Sequence, residues 1–136
     1  MSSATAFNTI EQYLKAQWTA TPLVFENEPH DLPDQPAHWV FVEVFGDTFE
    51  QASIGADGRD ANLWRETGQI YINVMTERDI GTGQARAYAE QLASLFRGLD
   101  IGTLTFGRSS IGAGEPGIGD GNYWRMTVTI DWERDQ

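Results

Sequence analysis

The sequence contains no cysteine, which excludes a disulfide framework, a thiolate metal site and a cysteine nucleophile. Basic residues are scarce: nine Lys and Arg stand against twenty Asp and Glu, for a formal charge of −11. A chain so acidic lacks the basic stripe needed to neutralise nucleic-acid phosphates, and it is equally unsuited to an anionic membrane surface. No apolar run is long enough to span a bilayer. The opening "MSSATAFNTIEQYL" has neither the basic region nor the apolar stretch of a signal peptide, so synthesis in the cytoplasm without export is the expectation. Of five prolines, Pro29, Pro33 and Pro36 crowd into "EPHDLPDQPAH"; each removes a backbone donor, which excludes an interior strand there and leaves a stiff exposed loop.

What is present speaks for a folded domain. At 136 residues a chain is expected to bury roughly two thirds of its unfolded surface. Hydrophobic residues make up 40%, with five Trp, seven Phe and four Tyr, more large apolar surface than a disordered acidic chain carries. One domain over residues 1–136 is expected.

Phe7, Ile10, Leu14 and Trp18 fall on one helical face and predict an amphipathic helix that stops near "TATP", because the residue before a proline is pushed out of the α region. "LVFEN" reads as a short strand. In "HWVFVEVF" one face carries Val40, Val42 and Val44 and the other Trp39, Phe41, Glu43 and Phe45; with both faces largely apolar, the strand is expected to be central. "FEQASIG" reads as its hairpin partner, "ADGRDAN" as a turn, and "LWRETGQIYINVM" as one long strand or two short ones. A second helix is predicted where Ala85, Tyr88, Ala89, Leu92, Leu95, Phe96 and Leu99 recur at 3.6-type spacing, with Thr82 as N-cap and Gly98 as the left-handed residue beyond the end. In "YWRMTVTIDWE", Trp124, Met126, Val128, Ile130 and Trp132 alternate with polar residues, the pattern of a half-buried antiparallel strand. The predicted class is α+β: a single, mainly antiparallel sheet with two helices packed on one face, in the order α-β-β-β-β-α-β-β. Two helices cover one face; an apolar opposite face needs the sheet to curl or a second subunit to cover it.

No motif for a reaction emerges. "DIGTGQARAYAEQL" has Arg86 where a dinucleotide fingerprint needs its third glycine, and Gln84 and Ala85 where a P-loop needs Lys and Ser or Thr, so it reads as a turn between strand and helix. "GAGEPGIGDGN" has five glycines but no Lys and no following helix, which makes it a long loop suited to docking. His30 and His38, among Glu26, Glu28, Asp31 and Asp34, match no metal-ligand spacing. Glu43 is the acid embedded in an apolar strand, as fit for a subunit contact as for a cleft. No cofactor is expected. The candidate contact residues are Asp57, Arg59, Asp60 and Trp64, in or beside the turn, and Glu115 and Pro116 in the glycine-rich loop.

The succession of an N-terminal helix, "PLVFENEPHDLP", "HWVFVEVF", "IYINVM" and "GTGQARAYAEQLASLF" resembles the small tail terminator proteins of long-tailed phages and gene transfer agents, over roughly residues 5 to 132. The resemblance implies a non-enzymatic ring, usually of six copies, located at the head-tail junction of the particle and assembled in the host cytoplasm. Such a ring caps the tail tube, stops its polymerisation and offers a surface to the head connector. Its partners would be copies of itself, the tail tube protein and the connector or stopper protein, with DNA in transit and no membrane. Free copies can be monomeric. Six times −11 gives −66, which suits a channel that DNA crosses without sticking. The alternatives are a connector or stopper protein, and a small enzyme or ligand-binding domain with a cavity at Glu43, His38 and Trp39.

Overall fold

A computed structural model describes residues 3–28, 38–51, 63–116 and 123–135. Its elements run α1 (Ala4–Gln17), β1 (Leu23–Phe25), β2 (Trp39–Gln51), β3 (Trp64–Glu77), α2 (Gly83–Phe96), β4 (Asp100–Ile101), β5 (Leu104–Ile111), β6 (Glu115–Pro116) and β7 (Tyr123–Asp135). The protein is α+β, with seven strands in one mixed sheet of order β1-β2-β3-β7-β5-β4 and β6 pairing with β7 off this path. The β1–β2 pair is parallel, and the remaining pairs are antiparallel.

The alternation read in β7 places Met126, Val128, Ile130 and Trp132 in the core. They join Val40, Val42 and Val44 of β2 and Ile70, Ile72 and Val74 of β3. The same cluster holds Ala6, Ile10 and Leu14 of α1 and Ala85, Ala89, Leu92 and Phe96 of α2. Fully burying one Ile, Leu or Phe is worth about 1.5–3 kcal/mol, so this even-numbered side of the sheet dominates the folding energy. The helices touch each other through Tyr13, whose hydroxyl donates to the Leu95 carbonyl at 2.6 Å and whose ring meets Phe96 edge-on at 5.3 Å.

Helix ends follow the expected chemistry. The Ser3 hydroxyl accepts the Ala6 N–H and caps α1. Thr82 occupies the N-cap position of α2, but its hydroxyl accepts from Arg86 Nε at 3.0 Å rather than from the backbone. Gly98 has φ +66°, the left-handed turn that a β-carbon disfavours.

One strand expectation is corrected and a second is narrowed. "FEQ" is not a separate hairpin partner of "HWVFVEVF": Phe49–Gln51 continue the same strand, and the partner is β3. The register slips between Gly46 and Thr48, so Asp47 forms a β-bulge that absorbs one residue where a turn was read. β2 lies inside the sheet, between β1 and β3, but β1 flanks it at residues 40–42 alone. One side of its remainder has no strand partner among the described residues, and β3 and β7 are the strands flanked on both sides over most of their length. The run from Trp64 is one strand of 14 residues.

Candidate interaction surfaces

The odd-numbered side of β2, β3 and β7 differs from the core side. The register sets Phe41, Asn73 and Thr127 in one row, Glu43, Tyr71 and Thr129 in the next, and Phe45, Gln69 and Asp131 in the third. Side-chain hydrogen bonds tie the rows together. Thr127 donates to Asn73 Oδ1 at 2.8 Å, and Asn73 Nδ2 donates to Glu43 Oε1 at 3.0 Å and to the Phe41 carbonyl at 3.1 Å. Tyr71 donates to Gln69 Oε1 at 2.5 Å, and Gln69 Nε2 to Asp131 Oδ1 at 3.2 Å. Such lateral pairs hold a sheet face rigid while leaving it wettable. At one end this face is apolar, where Trp39, Val24 and Met75 cluster with Phe41 and Tyr123. At the other, an open groove of about 450 Å³ crosses the strands, with Asp47, Gln69, Gly107, Asp131 and Glu133 among its lining residues.

The large apolar side chains left outside lie mostly at the sheet margins. Phe45 and Phe49 on β2 are 46% and 52% exposed, and Ile111 on β5 is 40% exposed. Phe45 rests edge-on against Tyr71 at 5.0 Å. Among the described residues, β2 beyond its three-residue pairing with β1, and β5 beyond its two-residue pairing with β4 and the Phe106 N–H bond to the Leu99 carbonyl, have no strand neighbour on their outer sides. The Glu26 carboxylate covers part of the β2 margin by accepting the Val44 N–H.

Two ion pairs occupy adjacent rungs of the β3–β7 ladder. Glu66 and Arg134, 3% and 8% exposed, meet at 3.3 Å. The Ser3 N–H and hydroxyl each donate to this carboxylate at 2.6 Å. Arg65 makes a two-point contact with Asp135 at 2.7 and 3.0 Å. Those hydrogen bonds, assisted by the guanidinium charge, hold the Asp135 carboxyl below its usual range against some desolvation and keep Arg65 firmly protonated. Sequence reading missed Glu66 and Arg134 as partners, since an acid and a base at alternating strand positions are found on solvated faces as readily as on buried ones.

Of the residues singled out from sequence, Asp57, Arg59 and Asp60 lie outside the described residues. Trp64 opens β3 opposite Gln51 and is half-buried. Glu115 and Pro116 form β6, paired with Arg125 and Trp124. This first part of the glycine-rich stretch is thus laid against β7, and Gly114 passes so close to the Trp124 indole that a β-carbon would lie 2.1 Å from its Nε1.

The cavity imagined at Glu43, His38 and Trp39 is not assembled. His38 meets Tyr88 of α2 at 5.7 Å, Trp39 meets Tyr123 at 5.9 Å, and Glu43 is engaged by Asn73. Glu28 accepts the Phe25 N–H, so it and Glu26 serve the backbone beside β1. Among the described residues no three His, Asp or Glu side chains converge to hold a metal ion.

This arrangement, a rigid polar sheet face with apolar margins, suits recognition of a surface rather than of a small molecule. A family model described as phage tail terminator protein matches residues 6–132. The chain belongs to the phage tail terminator family. That family is structural, and membership gives the chain a role in the phage tail and in virion assembly, associated with tail and head components. A solved structure bearing no functional name is similar to this tail terminator at 19% identity and a TM-score of 0.67, covering 98% of this chain and 96% of that chain. That likeness speaks for the fold alone. No curated protein matches the sequence.

Proposed function

We propose that this tail terminator acts as one domain over residues 1–136, in a ring of six copies at the head-tail junction of a phage or gene transfer agent. The ring occupies the growing end of the tail tube, stops its polymerisation, and offers its far side to the head connector. With both helices taken to cover one side of the sheet, the hydrogen-bonded odd-numbered face and its apolar margins are left for partners. The observation that carries this reading is that face, tied together by the Glu43–Asn73–Thr127 and Tyr71–Gln69–Asp131 chains within a chain of the terminator family. The charge of −11 per copy keeps DNA from adhering as it crosses the channel. The segment bearing Asp57, Arg59 and Asp60, with Trp64 at its end, and the Glu115–Pro116 strand are the proposed contacts to neighbours and tube.

The test is electron microscopy of particles made without this gene. Tails of uncontrolled length that fail to join filled heads support the reading. Tails of normal length that fail to join point to a connector, and normal joined particles overturn both.

A further inference from the structure

The two margins of the sheet are complementary. Among the described residues, the uncovered runs are 45–51 of β2 and 107–111 of β5, and each contains a β-bulge: Asp47 is skipped in the β2–β3 register, and Gly107 with Arg108 in the β5–β7 register. Bulges re-aim a side chain out of the ladder. The re-aimed charges are opposite, and among the described residues neither Asp47 nor Arg108 has an ion-pair partner. Each bulge is flanked by exposed apolar groups, Phe45 and Phe49 on one margin and Ile111 on the other.

Strand direction adds a second argument. β2, β3, β7 and β5 are joined by successive antiparallel pairings, so β2 and β5 run in opposite senses. A copy placed beside another, without inversion, therefore brings its β5 antiparallel to the neighbour's β2, the more stable pairing. A bulged, charged margin normally repels chance pairing. Here like margins would set Asp47 against Asp47 or Arg108 against Arg108, so the same device rejects self-matching and admits the opposite margin.

We infer that the β2 margin of one copy pairs with the β5 margin of a second copy of this chain, with Asp47 and Arg108 in contact across the joint. This contact is head-to-tail, the kind that closes into a ring when the rotation permits. The Gly107–Arg108 bulge faces Asp131, which is level with Phe45 through Gln69, about two residues short of Asp47. Bringing Arg108 opposite Asp47 therefore shifts adjacent copies along the strands by about 5–7 Å, from a rise of about 3.3 Å per residue.

The inference deepens the ring proposed above, and one series of variants separates the two. Asp47→Lys, Arg108→Glu and the double exchange are each returned to gene-deleted particles, with melting curves confirming that each folds. Each single reversal is expected to lower the yield of joined, correctly terminated particles by about tenfold or more, and the double exchange to restore it. Single reversals that work as well as the unmodified chain, or a double exchange no better than the singles, overturn the margin contact and leave the terminator reading standing. Should deletion leave the tails normal, sedimentation of the purified variants decides the contact by itself. Association that is lost in each single reversal and regained in an equimolar mixture of the two supports it. Association indifferent to both charges, or none in the unmodified chain, overturns it.

Discussion

Glu66–Arg134 and Arg65–Asp135 are the same chemistry on neighbouring rungs of one strand pair, yet they do opposite work. The first lies on the even-numbered side, sealed from water and bound also by Ser3. The second lies on the odd-numbered side, with more than a third of each side chain exposed. A buried pair repays desolvation when its remaining hydrogen-bonding capacity is filled, and losing one member leaves a costly charge behind. An exposed pair is screened by solvent and contributes little. What separates them is the alternation of a strand, which turns consecutive residues to a core and to an open face.

The largest loss is expected for Glu66→Ala, which takes a carboxylate from Arg134 and the acceptor from Ser3. A loss of about 3–5 kcal/mol is expected in denaturant unfolding; a loss below about 1 kcal/mol would mean that the two sides do not differ in this way. An intermediate effect is expected from Asn73→Ala, which strands the Glu43 and Thr127 side chains on the odd-numbered side, at about 1–3 kcal/mol. Asp135→Asn has the smallest effect, and its pH dependence sharpens the contrast. The folded-state pKa of Asp135 lies below the ordinary value of 3.8, so its contribution is complete above that value and is lost as pH falls through the folded pKa. Thermal melts of the variant and the unmodified chain should differ slightly at neutral pH, differ less in high salt, and coincide in strong acid.

Side-chain period made much of this fold readable. The face of α2 follows from Ala85, Ala89, Leu92 and Phe96, all buried, and the core side of β7 from its strict alternation. The break expected between "HWVFVEVF" and "FEQASIG" falls at Gly46 and Asp47, turn formers by local chemistry, and a bulge that keeps a strand going uses the same residue types. The flanking of β2 by β1 over three residues alone is announced by no local pattern. The buried ion pair was illegible for a related reason. Glu66 and Arg134 are 68 residues apart in sequence, and their partnership exists only once β3 and β7 are aligned. Trp64 is open to proposal as a contact from its sequence neighbourhood, whereas the margin charges Asp47 and Arg108 gain meaning only from the register.

The junction of Ser3, Glu66 and Arg134 joins the N-cap of α1 to β3 and β7, segments far apart along the chain. It cannot be completed while the ribosome still holds β7, so α1, made before it, waits for that anchorage while every element between them is synthesised. Truncated products would carry that helix without its lock, and the cell's proteases would meet them as incomplete goods rather than as competitors for a place in the particle.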